Sequence, residues 1–146
     1  MTTTDKTARG QGEAIEFEFE LRHPPHKVWR ALTDPVLLQQ WLLPTIGFSL
    51  KTGADFTLQA PPQPGWDGVV HCRVLEVQTL ERLRYAWVVG ELDTIVTFTL
   101  VPTETGTRLT LVQTGFRPEQ KQNFGGARYG WRMMGERLEA ALEAAA

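Results

Sequence analysis

The chain is poor in the residues that would commit it to most specialised chemistries. It has one cysteine, Cys72, so no disulfide can form within it, and a cytoplasmic setting is expected. No stretch approaches the roughly 20 apolar residues that cross a bilayer, so no membrane span is expected. The opening MTTTDKTARGQGEA is polar and lacks the apolar centre of a secretion signal. Fifteen basic and 17 acidic residues leave a formal charge of −2, which gives no global attraction to nucleic acid.

Histidine is also scarce, with three in the chain. His23 and His26 flank two prolines and are expected to face solvent. His71 adjoins Cys72 in an alternating segment, so the two side chains point to opposite faces and cannot form a nucleophile–base pair. Zinc needs three or four converging ligands and no such spacing stands out, so neither a metal nor a cofactor is expected. Gly125-Gly126 lacks the following Lys-Ser/Thr of a phosphate loop. No catalytic set emerges.

What the chain does have is apolar and aromatic bulk. Its 146 residues are 42% hydrophobic, with five Trp and seven Phe, enough for one domain with a substantial core. Residues 1–12 read as a disordered leader and 13–146 as the domain. Ile15 to Leu21 alternates apolar and acidic residues, the pattern of a strand with one wet face. His23-Pro24-Pro25-His26 stops it. Val28 to Trp41, VWRALTDPVLLQQW, then reads as two short helices broken at Thr33-Asp34-Pro35. Asp34 is the expected N-cap of the second, and Pro35 suits its first position.

Strands are expected at Gly47–Leu50, Asp55–Gln59, Val69–Gln78, Arg82–Val89, Thr94–Val101 and Thr107–Thr114. Their short connections favour an antiparallel meander. The last element is a helix in which Pro118 suits the first turn and Glu119 the positive end of the dipole. Ala127, Trp131, Met134, Leu138 and Leu142 form its apolar stripe. Gly125-Gly126 should weaken its start. Lys121, Arg128, Arg132 and Arg137 lie off the stripe and read as a solvated surface.

The order of elements matches the α+β helix-grip (START-like, Bet v 1-like) fold: a curved antiparallel sheet of six or seven strands, two short helices, and a long C-terminal helix enclosing a cavity. VWRALTDPVLLQQW resembles the opening signature of the activator-of-heat-shock-protein-90-ATPase-like branch of the START-like (SRPBCC) superfamily. RVLEVQTLERLRYAWV, VTFTLVPTETGTRLTLVQTGF and YGWRMMGERLEAAL agree with it, so the resemblance runs from Glu16 to Leu142. Two departures stand out. Family members commonly carry an Asp and a Gly-Gly pair before the third strand, where this chain has Lys51-Thr52-Gly53-Ala54-Asp55. They often carry a His where this chain has Gln113.

A sheet gripped by a helix leaves an apolar gap, the default place for a ligand. By parity its candidate lining is Phe48 and Phe56 on early strands, Tyr85 and Trp87 in the middle, Phe98 and Gln113 late, and Trp131 and Met134 from the helix. Leu38 and Trp41 close one end, with Trp29 as a structural anchor. His71 joins the set if a bulge reverses the parity of its strand. The plainer reading is that these side chains simply fill the core, and that Gln113 is a structural amide.

Three functions are compatible with this pattern. The leading one is non-enzymatic binding of a small apolar or aromatic molecule, such as a lipid or polyketide. The resemblance also implies a stress-response interaction module with a chaperone partner. A third reading is an enzyme, because some START-like relatives act as cyclases, aromatases or hydrolases. Exposed strand edges and the Trp66 loop leave a homodimer open.

Overall fold

The computed structural model describes residues 1–7 and 14–145. Their elements, in chain order, are β1 (Thr2–Asp5), β2 (Ala14–Leu21), α1 (Pro25–Thr33), α2 (Pro35–Trp41), β3 (Thr45–Ile46), β4 (Asp55–Gln59), β5 (Val69–Gln78), β6 (Arg82–Val89), β7 (Leu92–Thr103), β8 (Gly106–Thr114) and α3 (Lys121–Ala144). The strands form one open antiparallel sheet of eight in the order β1-β2-β8-β7-β6-β5-β4-β3. From β3 to β8 each strand pairs with the next in sequence, while β2 returns to lie beside β8. The α1–α2 pair therefore carries the chain from one side of the sheet to the opposite edge. With α3 packed against both short helices and β2, this is the helix-grip arrangement.

Side-chain alternation explains which face the helices cover. Ile15, Phe17, Phe19 and Leu21 of β2 are buried, while the acidic residues between them are partly exposed. The same period of two buries Leu83 and Tyr85 on β6, Val96, Phe98 and Leu100 on β7, and Leu109, Leu111 and Gln113 on β8. From the helical side, Trp131, Leu138 and Leu142 complete the core. Gly135 sits where α3 crosses β2: a Cβ there would lie 2.3 Å from Phe19 Cε1, so a larger residue would force the buried Phe19 ring to shift.

The break between the short helices follows the sequence closely. Asp34 Oδ1 accepts from the Val36 N–H at 2.9 Å and Pro35 opens α2. Trp41 then reaches back to donate its indole N–H to Ala31 O at 2.8 Å, stapling α2 onto α1.

Several expectations need correction. Part of the supposed disordered leader is strand: Thr2–Asp5 pairs with Phe17–Glu20, Lys6 and Thr7 continue bonding to Glu16, and residues 8–12 lie outside the described residues. This strand is pinned from across the molecule, because Asp5 Oδ2 accepts from Arg128 Nε at 2.7 Å and Arg132 Nη2 at 3.1 Å. Those two arginines are thus not merely a solvated surface, and Arg132 also lies over the Phe17 ring. Composition alone does not reveal a polar strand held by distant charges.

Gly47–Leu50 is not a strand; the edge strand is the shorter β3, and Gly47 takes φ +78°, which an extended ladder does not accommodate. Together β1 and β3 raise the strand number from the expected six or seven to eight. The last helix starts at Lys121 rather than at Pro118, which with Glu119 forms a preceding turn. Gly125-Gly126 does not weaken its start enough to interrupt it, because Phe124 packs edge-on against Phe116 and holds the first turn in place. His23 is buried, not facing solvent.

Candidate functional site

Ten of the eleven residues picked out by parity lie on the covered side of the sheet or in the helices above it. Leu38, Trp41, Phe56, Tyr85, Phe98, Gln113 and Trp131 are buried, while Phe48, Trp87 and Met134 are half-buried and pack against the same core. His71 is the exception. The β5 irregularity falls between Val74 and Glu76, beyond His71, so it cannot turn that residue inward. His71 is exposed and borders a shallow groove with Ile46, Asp55 and Thr57 at the β3 edge.

The aromatic members touch in a continuous series. Ring centroids lie 4.9 Å apart for Phe48–Phe56, 5.2 Å for Phe56–Tyr85, 6.0 Å for Tyr85–Phe98 and 6.0 Å for Phe98–Trp131. Trp41 joins edge-on at Phe98, 6.3 Å away, and Trp87 meets Trp131 at 5.4 Å. Edge-on and tilted contacts dominate, the arrangement that ring quadrupoles favour. The half-buried Phe48 and Trp87 are where this series comes nearest to the surface.

A hydrogen-bonded chain crosses the same interior. Trp131 Nε1–H donates to Gln113 Oε1 at 2.7 Å, Gln113 Nε2–H to Thr94 Oγ1 at 3.0 Å, and the Thr94 hydroxyl to Trp87 O at 2.7 Å. Four elements, α3, β8, β7 and β6, are joined by three bonds. Gln113 therefore uses its carbonyl and one amide hydrogen within the protein. The sequence reading missed Thr94, although its parity with Val96 and Phe98 places it inward, because a threonine at a strand end carries no distinctive signal.

Tyr85 is different. Its ring lies between Phe56 and Phe98, it is 2% exposed, and burial raises its phenol pKa well above the ordinary value of 10.0, with the Cys72 thiol adding to the effect. No hydrogen bond to its hydroxyl is formed by the described residues. Cys72 is itself buried, which pushes its thiol up to about 12 from the ordinary 9.0 and leaves it inert as a nucleophile. The interior thus offers aromatic surface, an occupied amide relay and a phenol outside that relay.

Residues 22–143 match the family model of activator of Hsp90 ATPase homolog 1-like proteins. The chain belongs to this family. Among solved structures, protein MLL2253 from Mesorhizobium loti is 40% identical, with TM-score 0.85 over 91% of this chain and 98% of that one. CV1439 from Chromobacterium violaceum is 27% identical, with TM-score 0.73 over 91% of this chain and 99% of that one. BH1534 from Bacillus halodurans is 26% identical, with TM-score 0.76 over 88% of this chain and 96% of that one. No curated protein matches. In this Hsp90-activator-like chain the family's long helix is joined to the sheet through Trp131 and Gln113, and no helix among the described residues is long and apolar enough to cross a membrane.

Proposed function

We propose that this family member binds a small aromatic or apolar molecule between α3 and the sheet, beside Tyr85, and catalyses no reaction on it. The observation that carries this reading is Tyr85, which is 2% exposed, has its ring between Phe56 and Phe98, and has a hydroxyl that makes no hydrogen bond to the described residues. A phenol held in an aromatic interior ordinarily finds a hydrogen-bond partner. A ligand carrying a carbonyl or hydroxyl oxygen would supply that partner, and the flanking rings would stack on its apolar body. Leu38, Phe48, Trp87 and Met134 would line its entry, with small side-chain rotations admitting it.

Binding rather than turnover follows from the chemistry of the lining. General acid–base work at neutral pH needs a group titrating near 7, and burial moves both Tyr85 and Cys72 away from that range. The reduced, buried thiol also suits a cytoplasmic protein.

Native mass spectrometry of the protein purified gently from its own host is the experiment for this reading. It should reveal an organic adduct that dissociates on denaturation and is depleted in Tyr85→Phe. Ligand-free wild-type protein that also fails to respond to flavonoid, polyketide and fatty-acid probes in thermal-shift assays would overturn it.

A second reading, contact with a chaperone, is favoured by the family to which the chain belongs. It requires no cavity. Stimulation of a chaperone ATPase by this protein, undiminished by Tyr85→Phe, would support it over ligand binding.

A further inference from the structure

His23 lies apart from the aromatic interior, just after β2, and three features fix it there. Its carbonyl accepts from the buried Thr107 hydroxyl at 2.7 Å. Gly106 lets β8 come this close, since a Cβ there would lie 2.7 Å from His23 N and 2.1 Å from Leu21 O. The imidazole then points at the last turns of α3, where Glu139 and Glu143 are four residues apart and share a helix face. Nε2 of His23 is 3.6 Å from Glu139 Oε1 and 3.3 Å from Glu143 Oε1.

The His23 side chain is only 9% exposed, yet its Nε2 makes no hydrogen bond, and neither does the buried Oε2 of Glu139. An imidazole nitrogen without a hydrogen-bond partner, aimed between two carboxylates, is the geometry of a ligand set. In tetrahedral zinc sites, with metal–nitrogen and metal–oxygen bonds near 2.0–2.2 Å, neighbouring ligand atoms stand about 3.4 Å apart. One ligand atom from each of the three residues falls within 4.8 Å of the others. Glu143, 64% exposed, leaves one side open to solvent for entry and for a water in the fourth position.

We propose that His23, Glu139 and Glu143 bind one divalent cation of zinc-like chemistry, tying the β2–α1 turn to the C-terminal end of α3. Two carboxylates and a neutral imidazole balance the ion's charge, and the nitrogen selects zinc over magnesium or calcium. Lys27 is the competing cation: its Nζ lies 3.3 Å from His23 Nδ1. While that ammonium donates to Nδ1, the imidazole proton sits on Nε2. Metal binding at Nε2 moves this proton to Nδ1 and turns Lys27, which is half-buried, out toward solvent. Lys27 therefore weakens the site without abolishing it.

Isothermal titration of the full chain, stripped with EDTA and titrated with zinc chloride, tests the assignment. One zinc per chain is expected, with affinity reduced about tenfold or more in Glu143→Gln and in His23→Gln. Lys27→Met should bind several-fold more tightly, and His26→Gln should match wild type. Glu143 is exposed, so its variant keeps the proposal falsifiable if His23→Gln fails to fold. Wild-type protein that takes up no zinc, or a Glu143→Gln variant that binds as tightly as wild type, would overturn it.

Discussion

The indole N–H of Trp131 donates to Gln113 Oε1 at 2.7 Å, a bond that joins the long helix to β8 within the buried interior. Gln113 passes the connection on to Thr94, and Thr94 to the backbone of Trp87. The relay closes these groups on one another, and Tyr85 stands outside it.

Gln113→Leu removes the middle of that relay and strands the Trp131 indole N–H in an apolar interior, while the Thr94 hydroxyl keeps its bond to Trp87 O. It should cost about 1–3 kcal/mol in urea-induced unfolding, the usual cost of one buried unpaired group. Gln113→His, which can accept from one neighbour and donate to the other, should cost clearly less. Equal losses in the two variants would remove the relay from the account of stability.

Gly135 and Gly126 should respond to alanine with opposite signs. At Gly135 a Cβ would meet Phe19 Cε1 at 2.3 Å, so Gly135→Ala should destabilise the protein by about 1–3 kcal/mol, the usual cost of overpacking. A Cβ at Gly126 meets nothing within 4 Å, and Gly126→Ala should stabilise by about 0.5–1 kcal/mol through helix propensity alone. Thermal denaturation of the two variants checks both signs.

Cys72 makes the fold sensitive to alkali. Its thiol titrates at about 12 when folded and near its ordinary 9.0 when unfolded, so only the unfolded chain loses this proton between those values. The contribution is intact below pH 9 and declines as pH rises from there toward 12, by at most about 1.4 kcal/mol per pH unit. Chemical denaturation between pH 8 and 10 should show a steeper loss for wild type than for Cys72→Ala. At pH 8 iodoacetamide should leave the native thiol unmodified and alkylate it in urea.

Asp5 anchors β1 in the opposite pH direction. Burial raises its pKa, but hydrogen bonds from Thr7 and Arg128 outweigh this and hold it below the ordinary 3.8. Its contribution is therefore present above pH 3.8 and is lost as pH falls through the lower folded value. Protection of the Thr2–Asp5 amides, taken against the intrinsic exchange rate at each pH, should fall in acid, and Asp5→Asn should produce the same local opening at neutral pH while leaving α3 protected.

The sequence was most legible where a period coincided with burial. Alternation placed β2, β4, β5 and β6 with little error, and the Asp34-Pro35 pair located the break between the short helices, because these signals act within a few residues. It was least legible where a distant group decides the outcome. Nothing near Thr2–Asp5 announces a strand whose anchors are Arg128 and Arg132. The same holds for His23: flanking prolines suggest a wet loop, yet Thr107 and α3 bury it. In the candidate site, parity found the aromatic rings but could not tell that Gln113 is engaged within the protein and Tyr85 is not.

The most direct test of ligand binding beside Tyr85 uses the five tryptophan indole N–H signals of the 15N-labelled protein, followed by NMR during titration with a soluble flavonoid such as naringenin. Trp131 and Trp87 border the interior, so their signals should shift saturably, at about tenfold higher ligand concentration in Tyr85→Phe. Trp66 is tied by its indole N–H to Val69 O and takes no part in the ring series around Tyr85, so its signal should move least. Shifts confined to Trp66, or equal titrations for wild type and Tyr85→Phe, would contradict a binding site at Tyr85.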